Sequence, residues 1–440
     1  MVGTVVIGGG AAGIAAARCL RDAGEDVLLV EAGDRLGGRA YSLALHDLPH
    51  GGGQAPLTRS GRRDRPGNEC AVMDSPRRSQ PTIDLGCGWL HSAGRNPWTA
   101  IAEFDGFAVD HSSPNWGVQW CDLGFPPKDR AAFATAYERF EAAAHAALDG
   151  PDQPLSTFIV ADDPWRPMTD AISGYANGAA LDRVSLHDWA AYEDAATDDN
   201  WALPAGYGTL IVHHIGDAPV RVDTSVTRID FTGRTIRLDT PAGTIDADRV
   251  VLTIPTSAYA AITFDPPLPA KHDAAAALPL GLADKVFLAV DRPEWPGHAH
   301  LIGNPHRVCT ASHRLSPFGL PIVESFFGGT CAEAMPDAQA AIDFAIEELV
   351  ALLGSDWRQR FTPIGATRWR EVAFIQGSYS HAHIGHAPAR AILAEPIDDR
   401  LFFAGEACST HDFSTAHGAY QTGVDAAEAI LRLKAPSPSP

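Results

Sequence analysis

Lysine is almost missing from this sequence. The 440 residues contain only Lys128, Lys271, Lys285 and Lys434, so nearly all of the 34 basic side chains are arginines. Acidic residues number 54, which gives a formal net charge of −20. A surface of this sign repels phosphate backbones, so we expect no nucleic acid partner.

Cysteine and long apolar runs are also sparse. The seven cysteines are scattered and form no C-x-x-C pair, which argues against a disulfide framework and against a zinc site. No stretch approaches the ~18 uninterrupted apolar residues of a membrane span, and no basic segment precedes the first apolar run, which begins at Val5. We therefore expect a cytoplasmic protein in a reducing compartment, with no membrane contact.

What is present favours a globular α/β protein of more than one domain, because domains usually hold ~150 residues. The apolar pattern predicts a strand followed by a helix at each end of the chain, at 4–7 with 11–23 and at 400–404 with 417–433. Between these ends, a mostly helical part at 97–200 precedes a series of alternating strands.

Two segments lack such a pattern. Residues 46–81 are rich in glycine, proline and arginine, and they predict a loop insertion whose role the sequence does not show. The last six residues, 435–440, predict a disordered tail.

A glycine motif follows the first strand. Gly8, Gly10 and Gly13 form G-x-G-x-x-G where the strand turns into the helix, and Glu31 ends the next strand. The first glycine permits the turn, the second lets a pyrophosphate approach the backbone, and the third lets the helix pack closely. An acid in this place accepts hydrogen bonds from ribose hydroxyls and disfavours NADP. The motif therefore predicts a dinucleotide site, for NAD or for FAD.

Two further motifs resemble those of the flavin-containing amine oxidase family, which includes monoamine and polyamine oxidases. One is Gly37-Gly38-Arg39, and the other is RLFFAGEACSTHDFSTAHGAYQTGVDAAEAI, which begins at Arg400. The resemblance covers nearly the whole chain apart from the insertion, and its motifs are most similar to those of polyamine oxidases. It implies a Rossmann-type FAD-binding domain at 1–95, 205–262 and 366–434. A substrate-binding domain of mixed sheet and helices is implied at 96–204 and 263–365.

The resemblance also implies which residues contact FAD. They are Gly8, Gly10, Gly13, Glu31, Arg39, Val226, Trp369, Gly405, Glu406, Thr415 and Ala416. In the family, the acid at Glu406 binds the ribitol, although a helix-capping acid is the alternative interpretation from the residue alone. Trp369 is expected beside the flavin, with a buried core tryptophan as the alternative. Ser378 stands where covalently flavinylated monoamine oxidases carry cysteine, so we expect non-covalent FAD.

Lys285 is the first candidate catalytic residue. It stands in GLADKVFLAV, whose apolar residues predict a buried strand, where an unpaired lysine is energetically costly. The resemblance implies a hydrogen bond through water to flavin N5. The alternative is a residue at the strand end whose ammonium reaches solvent.

Substrate-binding residues are implied in two further segments. LGCGWLHSAGRNPW resembles the polyamine oxidase segment beside the substrate and supplies Trp89 and His91. His91 is expected to hold the amine or accept its proton, unless backbone groups satisfy the ring. WREVAFIQGSYSHAHIGHAP supplies Tyr379 as an aromatic wall opposite the flavin. The second wall position falls on Thr415, which is not aromatic.

His381, His383 and His386 form H-x-H-x-x-H. Alternate histidines on an extended chain share one face, but no carboxylate or cysteine pattern completes a metal site. We therefore expect no metal, and we interpret these histidines as part of the substrate cavity or its entrance.

Together these residues predict an FAD-dependent amine oxidase. A hydride would pass from the amine's α-carbon to flavin N5, O2 would reoxidise the flavin to give H2O2, and the imine would hydrolyse to an aldehyde. Trp89, His91 and the acidic balance favour a di- or polyamine, and we expect a monomer or homodimer. The alternatives are a flavin dehydrogenase or desaturase, an amino-acid oxidase with an arginine clamp, and a non-catalytic flavoprotein subunit.

Overall fold

The computed structural model describes residues 1–47, 81–112, 114 and 116–434. The insertion predicted at 46–81 therefore falls almost wholly outside the described residues, as does the tail predicted at 435–440. In the described part of the chain, no helix is both long and apolar enough to cross a membrane.

Along most of the chain, strands follow strands and helices follow helices in runs of several elements. The strands are β1 (Val2–Ile7), β2 (Val27–Val30), β3 (Ser42–Ala44), β4 (Thr82–Asp84), β5 (Leu90–His91), β6 (Asn200–Trp201), β7 (Val220–Arg221), β8 (Arg228–Asp230), β9 (Ile236–Thr240), β10 (Gly243–Leu252), β11 (Thr263–Asp265), β12 (Ala283–Val290), β13 (Ala299–Ile302), β14 (Ser312–Leu315), β15 (Ile322–Gly328), β16 (Phe361–Ala366) and β17 (Leu401–Phe403). The α-helices are α1 (Ala11–Asp22), α2 (Pro97–Phe104), α3 (Pro127–His145), α4 (Arg166–Asn177), α5 (Leu186–Glu193), α6 (Tyr207–His213), α7 (Pro269–Ala276), α8 (Gly329–Ala334), α9 (Ala338–Leu353), α10 (Ala389–Ala394) and α11 (Ala416–Lys434).

The first sheet has a parallel centre in the order β17-β10-β1-β2-β7. The first half of β10 also pairs with β9, and β9 pairs with β8, both in antiparallel orientation. Strand β8 in turn pairs with β11 in parallel orientation. The predicted α/β fold is confirmed, and the strand–helix pairs at both ends of the chain are present. The division into two domains stays a prediction. However, β11 belongs to this sheet, whereas the second segment of the substrate domain, 263–365, was expected to begin at residue 263.

The two ends of the chain lie side by side. Helices α1 and α11 approach so closely that a Cβ added to Gly423 would lie 2.2 Å from the carbonyl oxygen of Ala12. Small residues at this contact let the helix after the glycine motif lie against the C-terminal helix. The first and last segments of the chain therefore pack together over one face of the first sheet, against Val6, Val251 and Phe402.

The second sheet is antiparallel, in the order β13-β14-β15-β12-β16. One face packs against α9 through apolar residues such as Val286, Leu288 and Val323. Since side chains alternate between the faces of a strand, the intervening residues face the other way. Beside this sheet, a disulfide joins Cys309 to Cys331, which the scattered cysteines did not predict. The two cysteines are 22 positions apart and come together only because α8 folds back beside the β13–β14 connection.

A buried ion pair ties α5 to α10. Arg390, which is 1% exposed, donates from Nε to Asp188 Oδ1 at 2.6 Å and from Nη2 to Asp188 Oδ2 at 2.8 Å. The Arg390 guanidinium carbon also lies 3.6 Å from the centre of the Phe413 ring. This bidentate pair joins segments that lie about two hundred positions apart along the chain.

We expect Arg390→Leu to lower the free energy of unfolding by about 3–5 kcal/mol, because Asp188 would keep a buried charge without its partner. Urea unfolding of the purified protein, followed by circular dichroism, measures the loss. The exposed Arg432→Leu is the control and should leave the midpoint unchanged. If the double variant Asp188→Leu/Arg390→Leu is no more stable than Arg390→Leu alone, the unpaired charge is not the cause.

Candidate active site

A cavity of about 1440 Å³ lies between the two sheets and is lined by both. On the side of the first sheet it begins where the parallel strands end, at Ile7, Glu31 and Thr253. The carboxyl ends of parallel strands are the usual place for a ligand in an open α/β sheet. On the other side, β12, β14 and β15 contribute side chains from their second face.

The glycine turn leaves room for a ligand at one position only. Gly8 has a φ of +108°, which favours glycine, and a Cβ on Gly13 would lie 1.9 Å from the carbonyl oxygen of Gly8. A Cβ on Gly10 would meet no heavy atom within 4 Å, and Gly10 lines the cavity. The backbone at Gly10 is therefore open to a pyrophosphate, as the motif predicts.

Glu31 and Val226 line the same end of the cavity. The Glu31 carboxylate accepts hydrogen bonds from the backbone N–H groups of Gly9 at 2.6 Å and Gly33 at 2.7 Å. These bonds hold the carboxylate beside the turn, where it can accept from ribose hydroxyls. This end therefore fits the adenosine half of a dinucleotide.

Glu406 lies further along the cavity in a dense set of hydrogen bonds. Its carboxylate accepts from Arg39 Nη1 at 2.9 Å, from the Ser380 hydroxyl at 2.7 Å and from the Ser414 N–H at 3.0 Å. Burial raises the pKa of Glu406, but Arg39 and Arg390 outweigh this effect, so its pKa is lower than usual. Because Arg39 and Ser380 come from distant segments, a simple helix cap does not describe this carboxylate.

Lys285 is buried on β12, an inner strand of the second sheet. The residue is 7% exposed, and its Nζ donates to the carbonyl oxygen of Asp84 at 2.8 Å and lies 2.6 Å from Glu324 Oε1. The alternative in which the ammonium reaches solvent is therefore wrong. Sequence analysis missed Glu324, because only the β12–β15 register makes it a diagonal neighbour of Lys285.

His91 lies opposite Asn200 in the β5–β6 pair, and it lines the cavity. Asn200 Nδ2 donates to the carbonyl oxygen of Asp198 at 2.9 Å, which turns Oδ1 toward His91 Nδ1, 2.6 Å away. We therefore assign the proton to Nδ1, which makes Nε2 an acceptor. Burial lowers the pKa of His91 to about 4, so the ring is neutral. The alternative interpretation, in which backbone groups satisfy the His91 ring, is wrong, because the ring's hydrogen-bond partner is the Asn200 side chain.

The other predicted side chains also line the cavity. Tyr379 donates its hydroxyl proton to the carbonyl oxygen of Tyr175. The rings of Trp89 and Trp116 meet edge to face, with centroids 5.6 Å apart. Trp369 is 3% exposed and donates from Nε1 to the carbonyl oxygen of Leu85. It is therefore a core residue that also lines the cavity.

The N-terminus of α11 closes the flavin end of the predicted site. The Thr415 hydroxyl donates to the carbonyl oxygen of Asp412 at 2.6 Å and accepts from the Gly418 N–H at 3.0 Å. It therefore acts as a helix cap, while the residue itself lines the cavity together with Ala416 and Gly405. Their contacts with a flavin or a substrate stay predictions.

The histidines of H-x-H-x-x-H do not line the cavity, so their placement in the cavity or its entrance is wrong. His381 is buried, whereas His383 and His386 are exposed. The backbone N–H groups of His381 and His383 donate to the carbonyl oxygens of Pro279 and Ala277, which holds this segment against residues 277–279. Among the described residues, no group of three or more His, Cys, Asp or Glu side chains could hold a metal ion.

Comparison with known proteins identifies the family. The model of the flavin containing amine oxidoreductases matches residues 190–431, which is more than half of the chain. The chain belongs to this family. A model of NAD(P)-binding Rossmann-like domains matches residues 6–60. FAD is the cofactor, and the glycine turn, Glu31 and the Arg39–Glu406 pair form a site that fits it.

Relatives of this flavin-dependent amine oxidase include two kinds of rice protein. Polyamine oxidase 4 of Oryza sativa subsp. japonica is 27% identical over 96% of this chain and 87% of its own length. Lysine-specific histone demethylase 1 homolog 1 from the same plant is 28% identical over 97% of this chain, which spans about half, 52%, of that relative. A wild-type putrescine oxidase bound to putrescine has the same fold, with a TM-score of 0.72, 16% identity and coverage of 98% and 99% of the two chains.

We expect Gly10→Val to abolish FAD binding without unfolding the protein, because the added side chain fills the space left for the pyrophosphate and meets no protein atom at Cβ. The ratio of absorbance at the flavin band to protein absorbance measures occupancy, and circular dichroism measures the fold. Gly233→Val is the control and should retain FAD, because Gly233 lies outside the cavity, has no positive φ and would place its Cβ no nearer than 3.7 Å to another heavy atom. Full occupancy in Gly10→Val would contradict this assignment.

We expect Asn200→Asp to raise the pKa of His91 from about 4, because a carboxylate beside Nδ1 stabilises the imidazolium. Asn200→Ala should leave the pKa low, since burial is its main cause. The His91 ring signals, followed by NMR between pH 3 and 8, give the pKa in both variants. We expect the aspartate variant to show a pKa higher than that of the wild type by ~1 unit or more. Equal midpoints in the two variants would show that residue 200 does not control the ring.

Proposed function

We propose that this enzyme oxidises a primary or secondary amine at its α-carbon and uses O2 as the acceptor. When bound in this cavity, FAD would supply the hydride acceptor at N5, and its reoxidation by O2 would give H2O2. The observation that carries the proposal is the convergence of Lys285, His91 and Tyr379 on the cavity that also contains the glycine turn. The imine product then hydrolyses to an aldehyde and an amine or ammonia.

His91 is proposed to hold the amine. A C–H bond next to nitrogen releases hydride only when the nitrogen is neutral, whereas aliphatic amines are mostly protonated near pH 7. An imidazole whose pKa is about 4 is a poor base, so the amine gives its proton to solvent water before the hydride leaves. Its Nε2 instead accepts a hydrogen bond from the amine, and a neutral ring does not repel a protonated substrate as it enters.

Lys285 is proposed to lie at flavin N5. Its ammonium is held from two sides, by the Asp84 carbonyl oxygen and by Glu324, so its position does not depend on substrate. Ser378 in place of a cysteine supports non-covalent binding of FAD. Tyr379 and the tryptophan pair around Trp89 supply apolar walls that exclude water from the reacting carbon.

Di- and polyamines are the first substrates to test, because relatives are named polyamine oxidase and putrescine oxidase. The Trp89 and His91 segment supports the same choice. Oxidation of an amino acid is the second candidate, and the presence of Arg314 in the cavity favours it. A cytoplasmic location and a monomeric or homodimeric state stay predictions.

We expect the purified yellow protein to lose its flavin absorbance when an amine is added without oxygen. Admitting air should restore the colour and release one H2O2 for each amine oxidised. The panel consists of spermine, spermidine, 1,4-diaminobutane, butylamine and the common amino acids, assayed by absorbance and by a peroxidase-coupled reaction.

Two results would contradict the proposal. A flavoprotein that no amine reduces favours a dehydrogenase or desaturase of another substrate, or a non-catalytic subunit. Reduction by an amine without H2O2 on reoxidation would exclude O2 as the acceptor but would leave amine oxidation intact.

A further inference from the structure

One row of residues on the cavity face of the second sheet connects Lys285 to a hydroxyl group. Lys285 lies opposite Phe326 in the β12–β15 pair, and Phe326 lies opposite Ser312 in the β14–β15 pair. Residues directly opposite each other point to the same face of a sheet, and all three line the cavity. Because neighbouring strands lie about 4.8 Å apart, the Cα atoms of Lys285 and Ser312 are roughly 10 Å apart.

The Ser312 hydroxyl is held by a buried histidine. His300 Nε2 lies 2.8 Å from Ser312 Oγ and is the one hydrogen-bond partner of this hydroxyl among the described residues. Burial, and then His313, lower the pKa of His300 to about 3, so its ring is neutral. Within the described part of the chain, the buried Nδ1 of His300 has no partner.

This arrangement decides which atom carries the ring proton. A buried N–H without an acceptor is rarer than a buried lone pair without a donor, so we assign the proton of His300 to Nε2. His300 therefore donates to Ser312 Oγ. The hydrogen of the Ser312 hydroxyl is then available to an acceptor in the cavity.

A buried amide beside the same row offers Ser312 no free acceptor. Gln119 is 3% exposed and lines the cavity, and its Oε1 accepts from the N–H of Ile302 at 2.6 Å. Ile302 lies opposite Ser312 in the β13–β14 pair. The Nε2 of Gln119, which is a donor, has no partner among the described residues. This end of the row is therefore rich in donors and poor in acceptors.

Arg314 adds further donors to the same face, two positions after Ser312. Its guanidinium carbon lies 4.4 Å from the ring centre of Trp89 and 4.7 Å from that of Phe318. Its Nη2 donates to His298 Nδ1 at 3.2 Å. These contacts hold the guanidinium in place, and a guanidinium has no acceptor atom for the Ser312 proton.

The two cations of this face already have carboxylates near them. Glu324 lies 2.6 Å from Lys285 Nζ and 3.9 Å from Arg314 Nη1. Asp110 and Asp84 are also close enough to act electrostatically on Arg314. No cation is therefore left over for a substrate carboxylate. A second ammonium group has donors only, so it would leave the donors at Ser312 unsatisfied, whereas a neutral oxygen would accept from them.

We propose that Ser312 is a specificity-determining residue that donates a hydrogen bond to a neutral oxygen, a hydroxyl or an ether, at the far end of the amine substrate. The inference rests on the proposed amine oxidation and narrows its substrate class to amines with such an oxygen several carbons from the nitrogen. The reacting carbon lies on the Lys285 side of the row, and the oxygen lies at Ser312. The carbon chain between them crosses the apolar ring of Phe326.

Two pairs of amines test the proposal on the FAD-loaded enzyme, and each pair exchanges a hydroxyl for a methyl group. The longer pair is 5-aminopentan-1-ol and hexylamine, and the shorter pair is 3-aminopropan-1-ol and butylamine. We expect the ratio of kcat/KM for the amino alcohol to kcat/KM for the alkylamine to be roughly fivefold or more higher for the longer pair. The reason is that Ser312 lies roughly 10 Å from Lys285, which the shorter chain does not span. Equal ratios for the two pairs would overturn the proposal, and this comparison needs no variant.

Ser312→Ala should lower the ratio for the longer pair by roughly 5- to 100-fold, because the substrate oxygen loses its donor. Ser312→Thr, which keeps the hydroxyl, should retain the ratio. Ser355→Ala, at an exposed position outside the cavity, is the control and should leave the ratio unchanged. Circular dichroism checks the fold of each variant. An unchanged ratio in a folded Ser312→Ala, or an equal loss in Ser312→Thr, would contradict the role of the hydroxyl.

Failure of this inference can be told apart from failure of the proposed function. If amines reduce the flavin but the ratios do not depend on Ser312, only the inference fails. If no amine reduces the flavin, the proposed function fails, and calorimetric titration with 5-aminopentan-1-ol and hexylamine still tests Ser312. Tighter binding of the amino alcohol that is lost in Ser312→Ala supports the proposal, and equal binding of the two amines overturns it.

Discussion

A set of buried charges joins the parts of the molecule on which the active site depends. Glu406 accepts from Arg39 and Ser380, and the Ser380 hydroxyl also accepts from Arg390, which pairs with Asp188. The five residues come from three segments that are far apart in the chain. Since each buried charge needs its partner, these segments can settle only in one mutual arrangement. The same arrangement brings the glycine turn and the C-terminal helix to one cavity.

Strand register has a comparable effect in the second sheet. Lys285, Glu324 and Arg314 lie on three adjacent strands, and their side chains share the face toward the cavity. A shift of one residue in any of these strands would turn its side chain into the apolar layer against α9. Two cations and one carboxylate therefore meet on the cavity face of the sheet because of pairing between strands.

Local patterns were sufficient for much of the fold and of the cofactor site. The glycine spacing, the short apolar run before it and the acid after it all act within about thirty residues, so Gly10 and Glu31 were predictable. Lys285 was conspicuous because lysine is rare here and is costly in an apolar strand. The strands β13 and β14 gave little signal, since each has four residues with polar side chains among them.

By itself, the sequence determined the Rossmann unit, the flavin family and the identity of Lys285 and His91 as candidates, because those features depend on residues close together in the chain or on whole motifs. Only the tertiary structure decided their partners. The Asn200 amide that orients His91, the Glu324 that pairs with Lys285 and the rings that hold Arg314 reach the cavity through contacts between distant segments. The charge and protonation of the site follow from those contacts and from burial, which no local pattern records.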